Sequence, residues 1–329
     1  MQASRRKILA GAVGATTLAT FGLHQSARAQ TFPTRPIRIY VGFLPGAATD
    51  ISVRIAGEAM AQTLGQPIIV ETKAGAGSMI AADYVAKSAP DGYTLFQCTS
   101  GGVSVLPAVE PKTPYRPESF TYICRLITAS QVLALNPNLP INSMAEFIAY
   151  ARANPPETLK SGTAGPGGVP DLTTALLALE IGAKIMRVPY KGSAGNINAV
   201  LSGEVDFAFL SPSTALPLAK AGRVKMIAVT SPQREKLWPD VPTMAESGLP
   251  AVTVENYFGI IGPAGMPANV VDRLRNAAVA ALKNPTVIEQ YKKFNIEPAP
   301  LVGDDFKKLA QREYEQWARV AKNVNIKLE

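Results

Sequence analysis

After Pro36 the chain alternates short apolar runs with amphipathic stretches, and this alternation restricts the fold more than any other feature of the sequence. Residues 37–43 read as a buried strand, followed by the small-residue turn Leu44-Pro45-Gly46-Ala47-Ala48. A helix runs from about Asp50 to Leu64, with Ile51, Ile55, Ala59 and Met60 at helical spacing, and Gly65 stops it. Residues 67–71 form the next strand, Ala74-Gly75-Ala76-Gly77 a turn and 78–88 a helix; Pro90-Asp91-Gly92 turns into the strand 93–98. Strands separated by helices of this length need crossover connections, which predicts a mainly parallel sheet with helices on its faces.

The pattern weakens across a proline-punctuated stretch, 99–122, and resumes from Gln131. Strands near 131–135, 161, 185–189, 205–210 and 225–229 alternate with helices near 143–154, 171–181, 194–202 and 215–221, a second α/β block. A strand at 255–261 and three helices, 268–283, 285–294 and 304–322, close the chain. Packing this tail on the first block gives two lobes, 30–130 with 253–329, and 131–252. The chain then crosses between them twice, which makes a hinge. Two lobes also suit about 300 residues, more than one core usually serves.

The first 29 residues read as a cleaved export signal. Ser4-Arg5-Arg6-Lys7-Ile8-Leu9 puts a twin-arginine-like positive cluster ahead of the apolar run 8–23, and Ala27-Arg28-Ala29 is a small-x-small cleavage pattern that leaves Gln30 first. The run is shorter than the roughly twenty residues of a membrane anchor. A periplasmic, soluble product is expected. The signal carries four bases and no acid, so cleavage lowers the net charge from +8 to +4. The remaining bases are scattered, and no nucleic-acid partner is expected. His24, the single histidine, leaves with the signal, and with it any Ser-His-Asp or Cys-His arrangement and any histidine metal ligand. No metal or cofactor is expected. Gly75-x-Gly77-x-x-Ile80 lacks the third position of the dinucleotide fingerprint, and the chain has no phosphate loop or nucleophile elbow. Cys98 and Cys124 either pair in an oxidising compartment or stay buried as free thiols.

Ligands of parallel α/β sheets sit beyond the carboxyl ends of strands, where loops meet helix N-termini. Those loops are 43–50, 74–78, 99–102, 161–171, 190–194 and 211–214, dominated by Gly, Ala, Ser, Thr and Pro. Small residues let backbone N–H groups donate to an anion, and helix N-termini add partial positive charge. The first-lobe candidates are Phe43, Pro45, Gly46, Ala47, Ala48, Thr49, Asp50, Ala76, Gly77, Ser78, Thr99 and Ser100. Asp50 either accepts a hydrogen bond from the ligand or caps its helix. Lys191 either pairs with a carboxylate or covers the cleft rim with its stem. Asp206, inside a buried strand, takes a structural hydrogen-bonding role by default. Tyr257 either stacks on a ligand or packs the hinge, with packing favoured.

Several motifs recur in a recognisable order. They are Phe32-Pro33-x-Arg35-Pro36-Ile37, Pro45-Gly46-Ala47-Ala48-Thr49-Asp50, Leu64-Gly65-Gln66-Pro67, Gly75-Ala76-Gly77 and Ala86-Lys87-x-x-Pro90-Asp91-Gly92-Tyr93-Thr94-Leu95. Val188-Pro189-Tyr190-Lys191-Gly192, Gly203-x-Val205-Asp206 and Pro263-Ala264-Gly265-x-Pro267 follow. The series resembles the Bug-type receptors of tripartite tricarboxylate transporters, over essentially the whole chain after the signal. The resemblance implies a two-lobed, type II-like periplasmic-binding-protein fold. It also implies a monomer that delivers a carboxylated solute to integral-membrane permease subunits and catalyses nothing. The solute classes it suggests are dicarboxylates, tricarboxylates, acidic amino acids and aromatic acids. By that likeness the loops 43–50 and 76–78 hold one carboxylate, partly through bridging waters. Ser161, Gly162 and Thr163, with Lys191, Asp206 and Ser211, close on the other end. Two departures stand out: Ala47 replaces a usual second glycine, and Gly167-Gly168-Val169-Pro170-Asp171 occupies a stretch where relatives often carry a histidine. A receptor serving a membrane sensor kinase or chemoreceptor, and a periplasmic enzyme using carboxylates or a tyrosine, are the alternatives.

Overall fold

The alternating units form β1 (Ile37–Val41), α1 (Ala48–Leu64), β2 (Ile68–Thr72), α2 (Met79–Ala86) and β3 (Thr94–Thr99) in a computed structural model. It describes residues 32–323 apart from positions 44, 46, 47, 164–167, 191, 237 and 295. The expected signal and the candidates Gly46, Ala47 and Lys191 lie outside the described residues. Val53, Ala56, Met60 and Leu64 recur on one face of α1, and that face shares a buried cluster with Ile37, Ile39 and Val41 of β1. Each such aliphatic side chain contributes about 1.5–3 kcal/mol on burial. Leu274, Ala277 and Ala281 of α8 (Ala268–Lys283) join the same cluster.

Among the described residues there are two mixed sheets. The first adds β4 (Phe120–Ala129), β10 (Asn256–Pro263) and β11 (Pro298–Val302), in the order β11-β4-β10-β3-β1-β2. The second comprises β5 (Val132–Leu135), β6 (Lys160–Thr163), β7 (Met186–Pro189), β8 (Phe207–Leu210) and β9 (Lys225–Val229), in the order β7-β6-β8-β5-β9. β1 pairs parallel with β2 and β3, and β6 with β7 and β8, as the βα alternation requires. β10 runs antiparallel to β3 and β4, and β5 antiparallel to β8 and β9. The sheets are therefore less parallel than the sequence predicts, because β5 and β10 are the strands by which the chain enters each lobe. A strand entering from the crossing side runs opposite to strands that end there.

β4 and β11 escaped the sequence reading. β4 begins inside the proline-punctuated stretch, and β11 carries Pro298 and Pro300, which an edge strand tolerates because one side of its backbone needs no ladder partner. The last helix also departs from the simplest packing. α10 (Gly303–Asn323) spans about 32 Å. Its first half puts Phe306, Leu309 and Ala310 into a core of the first sheet, and its second half puts Trp317 and Val320 into the core built on β5 and β8. Arg319 Nη2 bonds Glu180 Oε1 at 2.8 Å, and Gln316 Nε2 donates to Ala251 O at 2.8 Å.

Cys98 and Cys124 are buried free thiols. Cys98 faces Gly259 across the β3–β10 pair and Cys124 faces Ile260 across β10–β4, so a whole strand separates them. Two strand spacings are about 9–10 Å, beyond the roughly 7 Å that a disulfide bridges.

Candidate functional site between the sheets

The carboxyl ends of β1, β3, β6 and β8 open onto the region where the chain crosses between sheets. Close backbone approach shapes the first-lobe side. A Cβ on Gly42 would lie 2.2 Å from Ser78 Cβ and 2.8 Å from Ser78 Cα, so only glycine lets the end of β1 meet the turn after β2. That turn is held in the left-handed region at three successive residues, Ala76 (φ 46°), Gly77 (φ 62°) and Ser78 (φ 78°). Such conformations cost of order 1 kcal/mol or more for residues with a Cβ and persist where surrounding structure enforces them. Gly102 plays the matching role from the other flank, since its Cβ would lie 2.2 Å from Ser78 Oγ.

Two adjoining cavities occupy the region. The larger, about 440 Å³, is lined by Phe43, Ala48, Thr49, Gly77, Thr99 and Gly101 on the first lobe, by Val105, Leu106 and Val109 beside them, and by Gly168 and Val169 opposite. Asn256 and Phe258 of β10 complete it. The smaller, about 290 Å³, shares Val169 and Asn256 and adds Ser130, Gln131, Asn196, Ser211 and Thr214 among its polar walls. Among the described residues neither is lined by Asp, Glu, Lys, Arg or His. The polar groups are neutral, and several buried ones lack a protein partner: Thr49 Oγ1, Gln131 Oε1 and Asn196 Oδ1 in the walls, and Ser78 Oγ and Thr163 Oγ1 at the ends of neighbouring strands and turns. Buried polar groups are ordinarily hydrogen-bonded, so a cluster of unpaired ones marks a place built for a guest or for water. No described group of three or more His, Cys, Asp or Glu is placed to hold a metal.

A family model described as tripartite tricarboxylate transporter family receptor matches residues 52–326. The chain belongs to that receptor family. Protein BugT of Bordetella pertussis is 32% identical over 317 residues, 94% of this chain and 96% of BugT. A TctC solute-binding protein from Polaromonas, solved with no ligand, superposes with a TM-score of 0.82 at 25% identity, covering 89% of this chain and 100% of that one. MatC of Rhodopseudomonas palustris with bound malate gives 0.67 at 31% identity, covering 88% and 100%. Rpa4515 of the same organism with adipate gives 0.70 at 30%, covering 90% and 99%. The two-lobed arrangement is that of these binding proteins, and the chain is a solute-binding receptor of the tripartite transporter type.

Within this Bug-type receptor the sequence-derived candidates divide by position. Phe43, Ala48, Thr49, Gly77 and Thr99 line the larger cavity and Ser211 the smaller. Ser100 is one bond behind the wall: its Oγ donates to Asn256 Oδ1 at 2.7 Å. Thr99 Oγ1 accepts from Gly102 N–H at 3.0 Å. Ala76 and Ser78 form the turn around Gly77, and Pro45 is exposed. Asp50 lies buried in the first turn of α1, where Oδ1 accepts from Arg54 Nε at 2.7 Å, and it is not in either lining. Ser161 turns toward α5 (Val169–Ile181), its Oγ 3.0 Å from Thr174 Oγ1. Gly162 leaves room for Asn196, whose Oδ1 would be 2.1 Å from an added Cβ. Thr163 ends β6, buried. Asp206 precedes β8 at the end away from the cavities, and its Oδ2 accepts from Lys160 N–H at 2.7 Å. Strand direction thus separates Asp206 from Ser211, which the sequence places in one group. Tyr257 is fully buried, edge-on to Phe306 at 5.2 Å, with burial holding its phenol well above the ordinary range. Asp171, at the variant stretch, is gripped by Arg187 Nη1 at 3.0 Å to each carboxylate oxygen.

The sequence reading missed Asn256, Gln131, Ser130 and the apolar wall of Val105, Leu106, Val109 and Val169. Asn256 and Gln131 had a usable signal, a polar residue opening each crossing strand. The wall had none. Residues 101–109 form a π-helical segment, Gly101–Val105, running into α3 (Leu106–Val109), whose valines and leucine read as ordinary core.

Proposed function

We propose that this receptor is exported to the periplasm, closes its two lobes on a small carboxylated anion, releases it unchanged to integral-membrane permease subunits and performs no chemistry on it. The observation that carries this is the pair of joined cavities, walled by neutral, partly unpaired polar groups and framed by backbone turns, with no titratable side chain in the described lining. Such a wall binds through N–H and hydroxyl donors and holds nothing that moves a proton at neutral pH. The carboxylates in MatC and Rpa4515 support the ligand class. Residues 32–130 with 253–302 and residues 131–252 serve as the moving bodies, with Ser130–Gln131 and Thr253–Asn256 as hinge and α10 packed on both.

The chain purified after export is titrated by calorimetry with malate, citrate, glutamate, hexanoate and benzoate. Saturable binding of at least one acid, recovered chemically unchanged, is expected, and mass spectrometry should place the mature N-terminus at Gln30. A chain that binds none of them, or converts one on incubation, refutes the reading.

A further inference from the structure

The larger cavity is apolar where a hydroxylated acid would need partners. Val105, Leu106 and Val109 on one side and Val169 on the other give it an apolar wall, with Phe43 and Phe258 also in the lining. Of the polar groups in its described lining, Thr99 Oγ1 accepts from Gly102 and Asn256 Oδ1 accepts from Ser100, which leaves the Thr99 hydroxyl hydrogen and the Asn256 amide N–H groups as donors. Thr49 Oγ1 remains, buried and unpaired, in the first turn of α1. The cavity thus has a polar head and an apolar body.

The wall is also fixed in place. Tyr115 Oη donates to Gly102 O at 2.6 Å, and Ser104 Oγ donates to Ala310 O at 2.8 Å and pairs with the Tyr257 hydroxyl at 2.7 Å. Val105 is buried in the second-lobe core cluster, with Ala108 and Val109 packed against it. A segment pinned to α10 and β10 in this way cannot swing aside to expose polar backbone to the guest.

Resting on the receptor reading above, we propose that the solute is an acid with an apolar body, an alkyl chain or aromatic ring, laid on Val105, Leu106, Val109 and Val169 with its carboxylate toward the first turn of α1. Each methylene set on the wall raises affinity about fourfold. Each hydroxyl pressed on it without a partner lowers affinity about tenfold. Short hydroxylated acids are disfavoured on both counts.

Calorimetric titration of the intact exported chain with butanoate, hexanoate, octanoate, benzoate, malate and citrate tests this. Hexanoate or benzoate should bind at least tenfold more tightly than malate or citrate, and affinity should climb along the alkyl series until the cavity is full. Leu106→Gln and Val169→Thr alter partly exposed positions. Either should weaken hexanoate about tenfold with its melting temperature near that of the wild type. Malate or citrate binding more tightly than hexanoate and benzoate, or both variants binding hexanoate as the parent does, overturns the inference and leaves the receptor reading standing. No binding by any acid in the series sinks the receptor reading itself.

Discussion

Gly42→Ala is the sharpest probe of the cleft, because one methyl group tests how the first-lobe turn is held. The new Cβ would sit 2.2 Å from Ser78 Cβ and 2.8 Å from Ser78 Cα, so roughly 1.5 Å of separation must open to reach ordinary contact. The obstacle includes backbone, and the turn already holds Ala76, Gly77 and Ser78 at positive φ, leaving little freedom to rotate away. Overpacking of this kind costs about 1–3 kcal/mol of stability. The same displacement moves Gly77, which lines the larger cavity. Loss of one charge-assisted hydrogen bond there, about 1.5–3 kcal/mol, lowers affinity about 10- to 100-fold. Gly65→Ala is the control: Gly65 has φ 72° with nothing within 4 Å of an added Cβ, so it carries backbone strain without crowding. It should lose about 1–2 kcal/mol of stability and no affinity. Denaturant melts and calorimetry with the tightest-binding acid of the panel measure both quantities for both variants. If Gly42→Ala binds as the parent does while remaining folded, the turn after β2 does not form the ligand seat.

Three further outcomes follow from buried polar chemistry. Glu313 of α10 is 6% exposed, and burial, with the nearby Glu255 charge adding to it, raises its carboxyl well above the usual range. The folded state then keeps a proton that the unfolded chain gives up near pH 4.3, so stability falls as pH rises from there through the folded pKa. Glu313→Gln should shed less melting temperature than the parent between pH 5 and 8, and parallel curves would refute the assignment. Burial raises both thiols, Cys124 to about 12; a thiol reagent at pH 8 should leave the native chain unlabelled and modify both cysteines after denaturation, and rapid native labelling would contradict the packing. Asp171→Asn strips Arg187 of a paired carboxylate at the start of α5 and should cost about 1.5–3 kcal/mol by denaturant melt, whereas an unchanged midpoint would show that the pair contributes nothing net.

Local pattern sufficed for a large part of this protein. Apolar spacing placed α1 and β1 through β3, glycine and proline marked the turns, and the ordered motifs from Phe32 to Pro267 carried the family. The chain's single histidine, His24, lies in the expected export signal, and that position narrows the chemistry expected of the rest. Packing between distant segments decided the rest. Periodicity records that a face is buried but not what buries it, so Trp317 and Val320 gave no hint that α10 reaches the second lobe, and Asp206 gave none that its strand points it away from the cavities. The apolar wall was hidden for the same reason: Val105, Leu106 and Val169 look like core in sequence, and they line a cavity because two lobes, brought together by strands far apart in the chain, stop short of filling the space between them.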